Sequence, residues 1–243
     1  MSGRQALLEK RRWLTFLLPF VVFMLVTSVE PKPESMSYEY YPWIYTAKIV
    51  LTLGAVWFVL PGYREFPLTV GALSIVVGVV GVVVWIALCR LDLEHALLQP
   101  NLEKIGLGWI IGTGTRSAYN PFEQLAGNPS AAYAFLAVRF LGLAAVVPLI
   151  EEFFLRGFLM RFVVEADWWK VPFGKVNALA VVVGTAVPML MHPGELLAAA
   201  VWFSMVTWLM VRTRSIWDCV AAHAITNLLL GVYVVSTGEW HLM

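Results

Sequence analysis

Charged residues are scarce in this chain: only 14% of its 243 residues are Asp, Glu, Lys or Arg, against about 25% in typical soluble domains. Hydrophobic residues make up 60%, which leaves too little polar material to cover the surface of a soluble protein. No block of basic residues is present, and the formal net charge is +1. We therefore expect no nucleic-acid partner, because phosphate binding needs clustered Lys and Arg. The composition indicates an integral membrane protein in contact with the lipid bilayer.

Cysteines and the usual nucleophile motifs are also scarce or lacking. The two cysteines, Cys89 and Cys219, lie in apolar stretches without disulfide or metal-site spacing, so we interpret both as packing residues. The patterns Gly-x-Ser-x-Gly and Cys-x-x-Cys do not occur. Any hydrolytic chemistry is therefore expected from carboxylates and imidazoles.

Long apolar stretches dominate the rest of the chain. About 20 apolar residues in a helix cross about 30 Å of hydrocarbon, and this pattern predicts an all-α bundle of about 7–8 transmembrane helices. The candidate spans are Trp13–Val29, Trp43–Pro61, Leu68–Cys89, Ala131–Val164, Val176–Met191, Leu196–Val211 and Ile216–Val235. The polar stretch 90–130 could hide a short or re-entrant element near 105–112. We expect it to separate N-terminal membrane helices and a polar loop (1–130) from a catalytic membrane core (131–243).

The distribution of Lys and Arg between the loops predicts the orientation. With the N-terminus inside, ten fall inside, namely Arg4, Lys10, Arg11, Arg12, Arg64, Arg161, Lys170, Lys175, Arg212 and Arg214. Five fall outside, namely Lys32, Arg90, Lys104, Arg116 and Arg139. Positive residues concentrate on the cytoplasmic side of membrane proteins. We expect a multi-pass protein with a cytoplasmic N-terminus, of a bacterial inner (plasma) membrane.

Ionisable residues inside the apolar stretches are the chemical signal. Such groups are costly in a bilayer and by default face the bundle interior and mark function. The set consists of Glu151, Glu152, Arg156, His192, His223 and Asn227. The pairs Glu152–Arg156 and His223–Asn227 have i,i+4 spacing, which puts each pair on one helix face. Glu151 lies about 100° around the helix from Glu152, so the two carboxylates can do different work.

The depth of Glu151 in the membrane decides whether these groups can meet. If the fourth helix ended at Ile150, Glu151 would lie at the inner surface, far from His192. If it continues to about Val163, Glu151 lies about 18 Å deep, and the polar groups become neighbours. We prefer the longer helix, with Pro148 as a kink before the glutamates and Arg139 at the opposite interface.

Three stretches resemble the motifs of the CAAX prenyl endopeptidase and bacteriocin-processing family of intramembrane proteases. Glu151-Glu152-Phe-Phe-Leu-Arg156 is similar to its first motif, the apolar helix ending in His192 to its second, and His223-Ala-Ile-Thr-Asn227 to its third. The resemblance covers about residues 140–235. The second motif often reads Phe-x-x-x-His, and here Pro188 takes the position of the Phe.

The resemblance implies an intramembrane endopeptidase that cleaves near the C-terminus of a prenylated or otherwise hydrophobic membrane peptide. Glu151 would be the general base, His192 would help to hold the water, and His223 with Asn227 would form the oxyanion site. Glu152 and Arg156 would be a supporting pair. The family has been read both as glutamate proteases and as metalloproteases. We favour the glutamate type without a cofactor; a zinc ion would use Glu151, His192 and His223 as ligands.

Two other functions use the same polar cavity. Intramembrane carboxylates and histidines also build proton relays in transporters, although the sequence has no internal repeat of the transporter kind. A non-catalytic scaffold that binds hydrophobic peptides would need the same residues. The sequence carries no signal of oligomeric state.

Overall fold

A computed structural model of the chain describes residues 3–31, 38–107 and 118–243, with only the backbone described at 95 and 97. The described part is all-α, as predicted. Its helices are α1 (Gly3–Lys10), α2 (Leu14–Thr27), α3 (Tyr41–Tyr63), α4 (Ala72–Leu91), α5 (Gln99–Lys104), α6 (Pro121–Gln124), α7 (Pro129–Val164), α8 (Ala178–Met191), α9 (Leu196–Thr213) and α10 (Ile216–Thr237). Short 3₁₀ turns lie at Tyr38–Tyr40, Trp168–Lys170 and Trp240–Leu242.

Each of the seven predicted spans corresponds to one helix. In the described ranges, five helices are long and apolar enough to cross a membrane: α3, α4, α7, α9 and α10. The other two, α2 and α8, are apolar but have only 14 residues each, fewer than the 17–25 that usually span a bilayer. Within the described residues, the protein is thus a helical membrane bundle with five helices long enough to span a bilayer and two shorter apolar helices.

The polar stretch between α4 and α7 is partly helical. A π-helical turn at Glu94–Leu98 leads into α5, and the backbone is not helical from 105 to 107. Most of the re-entrant element predicted near 105–112 lies outside the described residues. Lys32 and Arg116, which were counted in the distribution of positive charge, lie outside them as well. Glu94 is buried, and its Oε1 accepts a 2.7 Å hydrogen bond from the N–H of Leu197 at the start of α9. This bond ties the stretch to the membrane bundle.

Helix α7 continues well past Ile150, as the longer-helix prediction required. Its 36 residues contain two π-helical segments, Gly142–Val146 and Phe153–Leu159, which flank the two adjacent glutamates. In the first segment the N–H of Val147 bonds to the carbonyl of Gly142, five residues back. π-Helical turns within α-helices are rare and frequent at functional sites. This widened segment ends at Val146, two residues before Pro148, where the sequence predicts a kink.

Glycine brings α4 and α10 into close contact. A Cβ at Gly78 would meet Ile225 at 2.8 Å and the carbonyl oxygen of Ala222 at 2.9 Å. A Cβ at Gly81 would meet the Trp202 ring at 2.7 Å and the Thr226 hydroxyl at 2.9 Å. Small residues allow such approach between membrane helices. The start of α4 is also fixed to α10, because the Gly71 N–H donates to Asp218 at 2.7 Å.

Candidate functional site

A cavity of about 310 Å³ lies between the helices, and all four predicted catalytic residues line it. Glu151 comes from α7, His192 follows the last residue of α8, and His223 and Asn227 come from α10. Its volume is at the lower end of ligand sites, which run from about 300 to 1,000 Å³. The structure therefore brings together on one surface the residues that the sequence places on three helices.

Glu152 is the most enclosed member of the group. It and Arg156 are both fully buried and form the predicted ion pair, and Arg156 Nη2 also donates to the carbonyl of Phe203 at 3.2 Å. The second carboxylate oxygen of Glu152 accepts from Nδ1 of His223 at 2.9 Å. This second bond is a contact that the i,i+4 spacing did not reveal. Glu152 therefore fixes the orientation of His223 as well as pairing with Arg156.

His223 is positioned between the two glutamates. Its Nδ1 faces Glu152, and its Nε2 lies 4.0 Å from Oε2 of Glu151. That distance exceeds a direct hydrogen bond of about 2.7–3.2 Å, and a polar separation of this size is where a bridging water is expected. The Trp202 ring packs against the imidazole, with ring centroids 4.5 Å apart. Packing and hydrogen bonding together hold one ring orientation.

His192 occupies the C-terminal end of α8. Its Nδ1 lies 2.8 Å from the carbonyl oxygen of Pro188, and its ring packs between Trp85 and Phe203. A carbonyl partner for Nδ1 requires a proton on that nitrogen, so in the neutral ring Nε2 is the acceptor. Pro188, the departure from the family motif, thus contributes through its carbonyl to the placement of His192.

Asn227 bonds to α7. Its Nδ2 donates to the carbonyl oxygen of Leu143 at 2.9 Å. In the π-helical register that carbonyl would accept from residue 148, but proline has no N–H. Asn227 supplies the missing donor and so joins α10 to α7 beside Glu151. One of its two amide N–H donors is used in this bond.

Several residues of the cavity wall were not predicted from the sequence. Trp202 donates from Nε1 to the hydroxyl of Thr226 at 3.1 Å, and this hydroxyl donates to the carbonyl of Gly78 at 2.9 Å. The wall also includes Phe23, Thr27, Tyr41, Tyr45 and Lys48 from the first part of the chain. No periodicity signal marks them, because they are ordinary residues of apolar helices.

Two cations line the cavity away from the glutamates. Lys48 is paired with Glu30 at 2.6 Å, and its ammonium group lies over the rings of Phe23 and Tyr45. Arg139, which the sequence places at the opposite interface, is buried within the protein and donates to the main-chain oxygens of Tyr119 at 2.7 Å and Met243 at 3.0 Å. The cavity therefore has a carboxylate–imidazole region and a cationic region.

The three residues considered as zinc ligands, Glu151, His192 and His223, all line the cavity. Among the side chains that the structure describes, no group of three His, Cys, Asp or Glu is placed to hold one metal ion. We derive no step through a metal.

One comparison with known proteins finds a match in the second half of the chain. A family model described as type II CAAX prenyl endopeptidase, Rce1-like, matches residues 133–229. This range contains all four predicted catalytic residues and the Glu152–Arg156 pair, and it leaves out the first 132 residues. No curated protein and no solved structure matches the chain significantly.

Proposed function

From the match of residues 133–229 to the model of Rce1-like type II CAAX prenyl endopeptidases, we propose that the chain hydrolyses a peptide bond within the membrane. The substrate would be a prenylated or otherwise hydrophobic membrane peptide, cut near its C-terminus. The observation that carries the proposal is the convergence of Glu151, His192, His223 and Asn227 on one cavity. Residues 131–243 would supply the chemistry, and the first 130 residues would form one wall of the substrate site.

Glu151 is the proposed general base. Its carboxylate lines the cavity, and the 4.0 Å separation from His223 Nε2 leaves a place for a water bonded to both. Glu152 is unsuited to this task because both of its oxygens are engaged, one by Arg156 and one by His223. His192, with Nδ1 at the Pro188 carbonyl, has Nε2 to accept from the same water. This mechanism is of the glutamate type.

His223 and Asn227 are the proposed oxyanion donors. Because Nδ1 of His223 donates to Glu152, donation from Nε2 requires the doubly protonated ring, and the two flanking carboxylates would compensate its charge. Asn227 has a second amide N–H beyond the one bonded to Leu143. Preorganised donors of this kind stabilise the charge that develops in acyl transfer.

The decisive experiment compares Glu151→Gln with wild type in proteoliposomes, using a fluorogenic S-farnesylated peptide and its unprenylated counterpart. We expect the substitution to lower the turnover rate about 10²–10⁴-fold, the usual contribution of general acid–base catalysis. Glu165→Gln is the matched control, because Glu165 is an exposed carboxylate at the end of the same helix.

Three outcomes would overturn parts of the proposal. Wild-type protein that cleaves neither peptide would favour a scaffold or a transporter. A Glu151→Gln variant that keeps the wild-type rate would remove the assigned base. Loss of activity with a chelator, restored by zinc, would replace the glutamate mechanism by a metal-dependent one. Labelling of introduced cysteines in intact cells would test the proposed cytoplasmic N-terminus and the bacterial inner membrane location.

A further inference from the structure

Arg139 is a buried cation whose place in the cavity the proposed chemistry does not use. It is 3% exposed and lines the same cavity as Glu151. Its two observed partners are the main-chain oxygens of Tyr119 and of Met243, the last residue of the sequence, which also lines the cavity. Within the described ranges, no Asp or Glu side chain forms a salt bridge with Arg139, whereas neighbouring Lys48 has Glu30 at 2.6 Å. A buried guanidinium that faces a cavity favours an anionic group on a bound ligand, because opposite charges compensate each other where water is excluded.

The π-helical segment aligns Arg139 with the proposed base. The α7 residues that line the cavity recur every four positions: Arg139, Leu143, Val147 and Glu151. In a regular α-helix such a series drifts by about 40° per step, or about 120° from the first to the last. The π segment Gly142–Val146 acts as one inserted residue, which reduces the offset to about 20°. Arg139 and Glu151 therefore face the cavity together.

The interval between the two residues has the length of a short peptide. Twelve residues of helix separate their Cα atoms by about 18 Å, which corresponds to at most about five extended peptide residues at 3.3–3.6 Å each. The side chains themselves take up part of this distance. A substrate bound with its cleaved bond at Glu151 would thus have its end near Arg139 if only a few residues follow that bond.

We propose that Arg139 binds the C-terminal carboxylate of the peptide substrate and so sets how many residues the enzyme removes. A guanidinium matches a carboxylate in charge and in the geometry of its paired N–H groups. Tyr41 and Tyr45 also line the cavity, and tyrosine hydroxyls can act as further donors. This inference rests on the proposed peptidase function and adds the chemical feature by which a free C-terminus is recognised.

The test compares two forms of one probe, a peptide with an S-farnesyl cysteine followed by a tripeptide that ends in a carboxylate or in a carboxamide. We expect wild type to prefer the carboxylate form by roughly 30-fold or more in kcat/KM, since loss of one partner of a buried charge pair costs about 2–5 kcal/mol. In Arg139→Gln this preference should fall to about one. Arg139→Lys, which keeps the charge, should restore part of it.

Arg161→Gln is the matched control. Arg161 is also a buried arginine of α7 that donates to main-chain oxygens, those of Gly157, Val171 and Trp169, but it does not line the cavity. This variant should keep the wild-type preference even if its stability falls. The ratio between two substrates is insensitive to the folded fraction, so a purely structural role of Arg139 would leave the ratio unchanged.

The outcomes separate the two proposals. Equal cleavage of acid and amide by wild type would overturn the role of Arg139 while leaving the peptidase function intact. If neither probe is cleaved, the peptidase proposal fails. Equilibrium binding of the two probes to Glu151→Gln protein then still tests whether Arg139 binds the C-terminal carboxylate. The role of Arg139 is supported if Glu151→Gln protein binds the carboxylate form more tightly than the carboxamide form and the double variant with Arg139→Gln does not. Equal binding of the two forms by Glu151→Gln protein would overturn this role.

Discussion

The Glu152–Arg156 pair is the residue-scale feature with the largest expected effect on stability. Both side chains are fully buried, so neither charge has access to water. Breaking such a pair by removing one partner leaves an uncompensated buried charge, which costs about 3–5 kcal/mol. The short hydrogen-bonded chain Arg156–Glu152–His223 also makes the stability of the fold depend on the same carboxylate that orients the imidazole.

We therefore predict that Arg156→Met lowers the free energy of unfolding by about 3–5 kcal/mol, measured by thermal or denaturant unfolding in detergent. Lys170→Met is the control, because its pair with Asp167 is exposed, with 67% and 46% of the side chains accessible, and exposed pairs contribute little. Equal stability of Arg156→Met and wild type would mean that Glu152 is not held as a charged group.

At this scale the sequence predicted which polar residues share a cavity and the Glu152–Arg156 pair along one helix, but not the contacts between helices. Spacing along one helix relates Glu152 to Arg156 and His223 to Asn227. It contains no information on contacts between α7 and α10, such as Glu152 with His223 or Asn227 with Leu143. Arg139 was predicted at the interface from its position in the chain, and only packing shows that it is buried.

Helix α7 contains two π-helical segments, one on each side of the two glutamates. The first ends next to Pro148, whose missing N–H leaves the Leu143 carbonyl to Asn227. The second, Phe153–Leu159, begins directly after the glutamates. The apolar pattern of residues 131–164 predicted one long helix but could not reveal these segments, because one extra residue per turn changes which face a residue occupies without changing its hydrophobicity.

The substitution Pro148→Ala tests the role of the first π-helical segment, Gly142–Val146. The substitution supplies an N–H for the Leu143 carbonyl and removes the constraint that favours the widened segment, so Asn227 loses its partner and Arg139 turns away from Glu151. We expect turnover to fall by at least about tenfold while the melting temperature stays the same or rises, since Pro is unfavourable inside helices. Pro19→Ala, in helix α2 without a π segment, should change turnover little.

A Pro148→Ala variant with full activity would contradict this role of the widened segment. A variant that loses activity together with stability would be uninformative by itself, and for that case the acid-to-amide preference described above gives the second measurement. That preference should fall, because it depends on Arg139 and Glu151 facing the same cavity.

At the scale of the whole molecule, α4 packs closely against α10, and Gly81 of α4 contacts Trp202 and Thr226, which line the cavity. Gly78→Ala is expected to destabilise the protein by about 1–3 kcal/mol, the usual cost of overpacking, because the new methyl group would lie 2.9 Å from the carbonyl oxygen of Ala222. Gly54→Ala in α3 should have the opposite sign, a gain of about 0.5–1 kcal/mol, since no atom lies within 4 Å of its Cβ position. Thermal unfolding of both variants checks the prediction, and a stabilised Gly78→Ala would refute it.

Sequence reasoning was most successful for the number and position of apolar helices, because bilayer thickness imposes a length that can be counted. It was less successful for the exact residues at which the shorter helices begin and end. Helix α2 ends at Thr27, two residues before the end of its predicted span, and α8 begins at Ala178, two residues after the start of its predicted span.

The unequal helix lengths have a consequence for the surrounding lipid. Helix α7 is about 54 Å long, whereas α2 and α8 are about 21 Å long, against a hydrocarbon thickness of about 30 Å. Such hydrophobic mismatch is accommodated by tilting the long helix and by thinning the bilayer beside the short ones. His192 lies at the end of one of these short helices, so a locally thinned leaflet would bring interfacial water close to the cavity, and activity would fall as the host membrane is made thicker.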